Sequence, residues 1–181
     1  MKVHATDLPE VLLLEPRVFG DARGFFLESW NARRFQEVTG RTDTFVQDNH
    51  SRSARNVLRG IHYQLVRPQG KLVQVVQGAV WDLAVDLRRS SPNFGKWTGF
   101  ELSAENHLQA WIPPGFGHAF LVLSETADFL YKTTDYWFPE HERALRWDDP
   151  ALGIRWPLEH APVLAAKDAT AALLAQAEVY D

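Results

Sequence analysis

The stretch VLRGIHYQ (57–64) sets three polar side chains, Arg59, His62 and Gln64, among residues that favour a half-buried strand. An unperturbed imidazole titrates at about pH 6.5, so His62 is of a type that can take or give a proton near neutrality. Taken alone, a strand histidine is more often a satisfied core or rim residue than a catalyst. SRSARNVLRG (51–60) carries three arginines and no acid. That composition fits either a solvated loop or a local site for an anion, whose oxygens a planar guanidinium can bind two at a time. Arg59 and His62 differ in parity, so a regular strand sends them to opposite faces. Gly60, between them, offers the place for a bulge that would bring both to one side. Without one, Arg59 belongs to a rim or an interface.

The elements that must position these residues are mostly strands. Strand patterns occur at FFLES (25–29), TFVQDNH (44–50), VLRGIHYQL (57–65), KLVQVVQG (71–78), AVWDLAVDLR (79–88), WTGFELS (97–103), QAWIP (109–113), HAFLVLS (118–124) and ADFLYKTTDYW (127–137). In WDLAVDL, Leu83, Val85 and Leu87 face one way, and Asp82, Ala84 and Asp86 the other. Turn chemistry lies between strands in RPQG, SSPNFG, SAEN and IPPGFG. NARRFQEVTG (31–40) predicts a short helix with Asn31 as N-cap and Gly40 as stop. DATAALLAQAEVY (168–180) predicts a C-terminal helix capped by Asp168. Closely spaced strands with few helices predict a mainly β sandwich or barrel, jelly rolls included.

The 181 residues fit one domain, 1–181, with a substantial core. A hydrophobic share of 45% is ordinary for a globular chain, and no apolar run is long enough to span a membrane. The N-terminus lacks the pattern of a signal peptide, and the absence of cysteine excludes disulfides and thiolate metal sites. Both fit a cytoplasmic protein. A net charge of −4 argues against a general nucleic-acid binder.

Pro113, Gly115 and His118 have the P-x-G-x-x-H spacing that resembles half of the signature of cupins, small jelly-roll barrels. The other half supplies two histidines one residue apart and then a glutamate. Here the matching place reads His62-Tyr63-Gln64, and no glutamate follows before Glu101. A metal needs three or four converging donors. The expectation is a cupin-like barrel without a metal.

Longer motifs carry a more specific resemblance. SRSARNVLRGIHYQ, QGKLVQVVQGAVWDLAVDLRRSSPNFGKW, LSAEN, WIPPGFGHAF, FLYKTTDYWFPEHERALRWDDPALGIRWP and AAKD occur in unbroken order over about residues 10 to 170. Together they resemble the dTDP-4-dehydrorhamnose 3,5-epimerases. The resemblance implies a homodimeric cupin-type jelly roll with a few short helices, needing no metal or cofactor. It also implies a dTDP-4-keto-6-deoxy sugar as partner, with no nucleic acid or membrane. The expected reaction converts dTDP-4-keto-6-deoxy-D-glucose to dTDP-4-keto-L-rhamnose by inversion at C3 and C5.

Such a reaction needs a base for the proton next to the ketone, a group to stabilise the enolate oxygen, and an acid on the opposite face. The substrate's own ketone acidifies the C–H, which agrees with a chain lacking a Rossmann fingerprint or a P-loop. By resemblance His62 is the base and Asp168 the carboxylate that holds its far nitrogen. Lys71 meets the enolate, with His118 able to reach the same oxygen, and Tyr131 is the acid. Asp168 as helix cap, Lys71 at a strand start and Tyr131 in the core each also have a plain structural reading. Substrate-binding positions carried over are Arg23, Phe26 and Glu28 from RGFFLE, Gln47 and Asn49 from QDN, and Arg59, Glu142 and Lys167. The first three serve the nucleotide end in the family, where the neighbouring subunit can supply them.

The chain departs from the usual pattern in three places. It has GFGHAF for GFAHGF, a tryptophan at 137 where a second tyrosine is common, and Ala165 and Ala166 where a serine precedes Lys167-Asp168. Rival expectations are an epimerase acting at one carbon only, a metal cupin such as a dioxygenase, and a non-catalytic cupin that binds nucleotide sugars.

Overall fold

The computed structural model describes residues 1–181. Its strands are β1 (Lys2–Ala5), β2 (Leu12–Glu15), β3 (Val18–Asp21), β4 (Gly24–Leu27), β5 (Gln47–Ala54), β6 (Leu58–Gln64), β7 (Lys71–Gln77), β8 (Ala79–Asp86), β9 (Trp97–Ser103), β10 (Gln109–Ile112), β11 (Phe116–Val122), β12 (Thr126–Thr133) and β13 (Glu142–Ala144). Helix α1 spans Ala32–Thr39 and α2 spans Ala166–Ala169. The strands form a six-stranded sheet in the order β1-β2-β10-β7-β12-β5 and a five-stranded sheet in the order β13-β6-β11-β8-β9. The hairpin β3–β4 stands apart from both. This is the expected mainly β jelly roll of cupin type.

The inner faces of the two sheets meet in a core that includes Val73, Val75, Val80, Ala84, Phe120 and Phe129. The outer face of the five-stranded sheet is apolar as well. Ile61, Tyr63, Leu83, Val85 and Leu87 pack there against Leu152, Trp156 and Tyr180 from the last third of the chain. WDLAVDL therefore alternates as read, but both of its faces are covered: Asp82 and Asp86 are as buried as Leu83.

Helix α1 follows the local rules. The Asn31 side chain accepts from the Arg34 N–H, and Gly40 closes the helix at φ +70°. The expected helix over 168–180 does not form. In its place stand the four residues of α2 and a 3₁₀ turn at Leu174–Gln176. The reason is tertiary packing: Leu174, Ala177, Val179 and Tyr180 lie on the outer sheet face. Tyr180 exchanges backbone hydrogen bonds with Leu87 and Arg89 in an extended pairing. Burial there outweighs the helix propensity of the alanines. Asp168 is not a cap: Ala165 holds the N-cap position of α2 with no side-chain bond.

The arginine-rich stretch is also not a loop throughout. Strand β5 runs on through Ala54, where the sequence pattern ended at residue 50. Arg52 points outward to Asp128, and Arg55 donates to the Leu123 carbonyl. Only Arg59 of the three faces the cavity described below. Strands β1, β2, β3 and β13 carry no alternation that the sequence pattern revealed. No helix is long and apolar enough to cross a membrane.

Candidate active site

At one end of the jelly roll the sheets part around a cavity of about 610 Å³. Strand β6 supplies one wall. Opposite β11, His62 pairs with His118 and Arg59 with Phe120, so three steps along β6 match two along β11. The extra residue is a bulge at Gly60, whose φ is +116°. It restores the parity that a regular strand would break, and both Arg59 and His62 line the cavity. Neighbours leave Gly60 no room for a side chain: a Cβ there would lie 2.5 Å from the His118 carbonyl oxygen and 2.7 Å from the Ala119 Cβ. The departures around His118 belong to this packing, since a Cβ at Gly117 would meet Ile61 at 2.6 Å.

His62 Nε2 lies 2.6 Å from Asp168 Oδ1, and Asp168 Oδ2 accepts from the Gly60 N–H at 3.3 Å. Burial alone would raise the Asp168 carboxyl. The hydrogen bond and charge of His62, the Gly60 N–H and the charge of Lys167 outweigh it, and the carboxyl sits below its ordinary value. With Nε2 engaged, Nδ1 is the nitrogen left to act on a ligand. Asp168 reaches this position because Val163, just upstream, pairs with Val57 beside β6.

A second pair stands beside the first. His118 Nε2 lies 2.9 Å from Asp82 Oδ2, and both side chains are buried. Burial lowers the imidazole and raises the carboxyl, each partly offset by the attraction between them. Asp82 was not among the sequence candidates. The signal was present, since parity places it on the face shared with Ala84, but an acid on an alternating strand reads as solvent-facing.

The opposite wall belongs to the six-stranded sheet. Tyr131 on β12 stands opposite Asn49 of β5 and Val73 of β7, so it approaches the cavity from the sheet facing His62. Burial and the charge of Glu142 raise its hydroxyl above the ordinary phenol value, against the pull of Arg59. Lys71, at the start of β7 and half-buried, also lines the cavity. Burial brings its ammonium down to about 8, although the charges of Glu142 and Asp82 oppose the drop.

The expected binding residues divide into two groups. Gln47, Asn49, Arg59, His118, Glu142 and Lys167 all line the cavity. Gln47 Nε2 donates to Asn49 Oδ1 at 2.9 Å, Glu142 pairs with Lys167 at 3.0 Å, and Arg59 Nε donates to Ser53 Oγ at 3.0 Å. Arg23, Phe26 and Glu28 are not brought to it. Arg23 is paired with Asp21 on its own hairpin, Phe26 is 69% exposed, and Glu28 accepts from Asn31. Within one chain their sequence neighbourhood holds them on or beside a projecting hairpin.

An imidazole backed by a carboxylate, a phenol on the facing wall and a half-buried ammonium in one cavity are the kinds of group that can move protons at a carbon next to a carbonyl. Residues 5–176 match the dTDP-4-dehydrorhamnose 3,5-epimerase family. The chain is 59% identical to the dTDP-4-dehydrorhamnose 3,5-epimerase of Pseudomonas aeruginosa over 99% of both chains. It is 37% identical to the dTDP-4-dehydrorhamnose 3-epimerase of Streptomyces niveus, over 98% of this chain and 86% of the other. A dTDP-6-deoxy-D-glucose-3,5-epimerase from Legionella pneumophila, solved in complex with dTDP-4-keto-L-rhamnose, superposes with a TM-score of 0.96 at 52% identity, covering 98% of this chain and 94% of that one. Cavity, fold and full-length similarity point the same way, and the chain belongs to the dTDP-4-dehydrorhamnose 3,5-epimerase family.

Proposed function

We propose that this chain, acting as one domain, inverts C3 and C5 of dTDP-4-keto-6-deoxy-D-glucose to give dTDP-4-keto-L-rhamnose for dTDP-L-rhamnose biosynthesis. The observation that carries the reading is the His62–Asp168 pair facing Tyr131 across the cavity that Lys71 also lines. His62 Nδ1 removes the proton next to the ketone, and the C–H electron pair moves to make the enolate, with its charge on O4. Asp168 stabilises the imidazolium that results. The Lys71 ammonium meets the enolate oxygen, where such a donor is typically worth about 3–4 kcal/mol. Tyr131 then gives its proton to the opposite face of the same carbon. Solvent exchange carries the proton from the His62 imidazolium back to the Tyr131 phenolate before the second carbon reacts, and no electrons leave the sugar, so the steps balance without a redox partner.

Arg59, Gln47, Asn49, Glu142 and Lys167 hold the substrate, with Arg59 on the diphosphate. Trp137, 54% exposed at the cavity wall, offers an indole face to a sugar or a thymine but no acidic proton. Arg23, Phe26 and Glu28 serve the nucleotide of a partner subunit in a homodimer. In support, the β3–β4 hairpin leaves Phe19, Phe25 and Phe26 at least half exposed. Light scattering that finds only monomer removes that part of the reading. The cytoplasm is the proposed location.

Proton NMR with dTDP-4-keto-6-deoxy-D-glucose in D₂O, beside a His62→Ala control, tests the whole. Deuterium entering both C3 and C5, and lost in the control, is the expected result. Label at one carbon would make the chain a mono-epimerase. Label at neither, with folded protein and bound substrate, would leave a nucleotide-sugar-binding cupin.

A further inference from the structure

Gln64 occupies the place where a metal-binding cupin has its second histidine, and it has other work here. Its side chain is buried, with the residue 4% exposed, and every strong polar function on it is used. Nε2 donates to the Arg67 carbonyl at 2.6 Å and to the Tyr136 carbonyl at 3.2 Å. Oε1 accepts from the Phe138 N–H at 2.8 Å. The carboxamide therefore grips both sides of Trp137, whose own N–H donates to Gln47 Oε1 at 3.2 Å. Arg67 reinforces the turn from outside, pairing with Asp135 and lying 4.4 Å above the Phe138 ring. The backbone that carries the Trp137 indole is thus held before any ligand arrives, and a turn ordered beforehand has less freedom to lose on binding.

We infer that Gln64 is a positioning residue: through the 136–138 turn it holds Trp137 at the cavity wall and sets affinity for the nucleotide sugar, not the rate of proton transfer. The inference rests on the nucleotide-sugar reading given above. Only a carboxamide supplies two donors and one acceptor here at this length. A glutamate of the same shape would turn a carboxylate oxygen toward two carbonyls.

The test is calorimetric titration with dTDP of the parent, Gln64→Glu, Trp137→Ala and the double variant, with turnover of the 4-keto sugar measured beside it. Gln64→Glu should weaken dTDP by about tenfold, the worth of one or two neutral hydrogen bonds. Trp137→Ala should weaken it comparably, and the double variant should be no weaker than Trp137→Ala alone. Turnover at saturation in Gln64→Glu should stay within about threefold of the parent, with the loss confined to KM. An unchanged dTDP affinity in either single variant overturns the inference. So does an equal further loss from Gln64→Glu in the Trp137→Ala background, or a fall in kcat at constant KM. Gln64→Met, which removes the bonds without adding charge, is the second variant. Failure of both Gln64 variants to fold would assign the residue to the stability of the barrel and overturn the proposal. A parent that binds no dTDP would instead overturn the nucleotide-sugar reading, and this inference with it.

Discussion

Replacing Gly60 by alanine should damage this protein twice over, because the same bulge holds the fold together and aims the base. A Cβ at this position would lie 2.5 Å from a backbone oxygen and 2.7 Å from the Ala119 Cβ, neither of them a flexible side-chain end. Relieving such contacts in a packed core costs about 1–3 kcal/mol. Holding a residue with a Cβ at φ +116° costs about as much again. The sum, about 2–6 kcal/mol, is a large part of the 5–15 kcal/mol that stabilises a typical domain. The chain can escape by flattening the bulge, but that moves His62 or Arg59 to the other face. It also withdraws the Gly60 N–H from Asp168. A displacement of about 1 Å at the base is enough for a hundredfold loss of rate. Gly24→Ala is the matched control, since Gly24 also has a positive φ, +127°, but nothing lies within 4 Å of its added Cβ. Urea unfolding followed by tryptophan fluorescence measures the first effect, and deuterium entry at C3 and C5 the second. A Gly60→Ala protein no less stable than Gly24→Ala, with parental exchange, would refute the reasoning about the bulge.

Four further outcomes follow from the site. Asp168→Asn should keep the fold and lower turnover by about 10⁴-fold, as for other histidine–carboxylate pairs, read by NMR at saturating substrate. The same variant should flatten the acid limb of stability: the Asp168 carboxyl is lower in the folded chain, so its contribution is complete above the unfolded value and is lost as pH falls through the folded one. Lys71→Met should cost about 10²–10³-fold in kcat; in the parent, the rate should fall as pH rises through about 8, where the ammonium is lost, and the variant should lack that limb. Tyr131→Phe should still release the proton to solvent while inversion drops by about 10²–10⁴-fold, so label at C3 or C5 with retained configuration is its expected signature.

Much of this site was legible in the sequence, and for identifiable reasons. Strand parity posed the Arg59–His62 problem, and a glycine between them marked the bulge that solves it. Asn31 and Gly40 bounded α1 because capping is a local interaction. The tail misled for the opposite reason: its alanines favour a helix locally, while Leu174, Val179 and Tyr180 gain more by lying extended on a distant sheet. Asp82 escaped notice because alternation alone cannot say that both faces of a strand are covered. Arg23, Phe26 and Glu28 could be named from motif but not placed at the cavity, since a single chain keeps them on or near a hairpin that leads away from it.

The His62–Asp168 contact joins residues 106 positions apart. During synthesis, at about 5–20 residues per second, the histidine is added to the chain some 5–20 seconds before its partner carboxylate exists. Beyond Asp168, Leu174, Ala177, Val179 and Tyr180 lie against the barrel's outer face rather than in the cavity. The base is therefore armed only after every strand of both sheets has been made. A chain interrupted between Ala144 and Asp168 can hold every sheet residue of the cavity and still be inert, so activity itself certifies that synthesis passed Asp168.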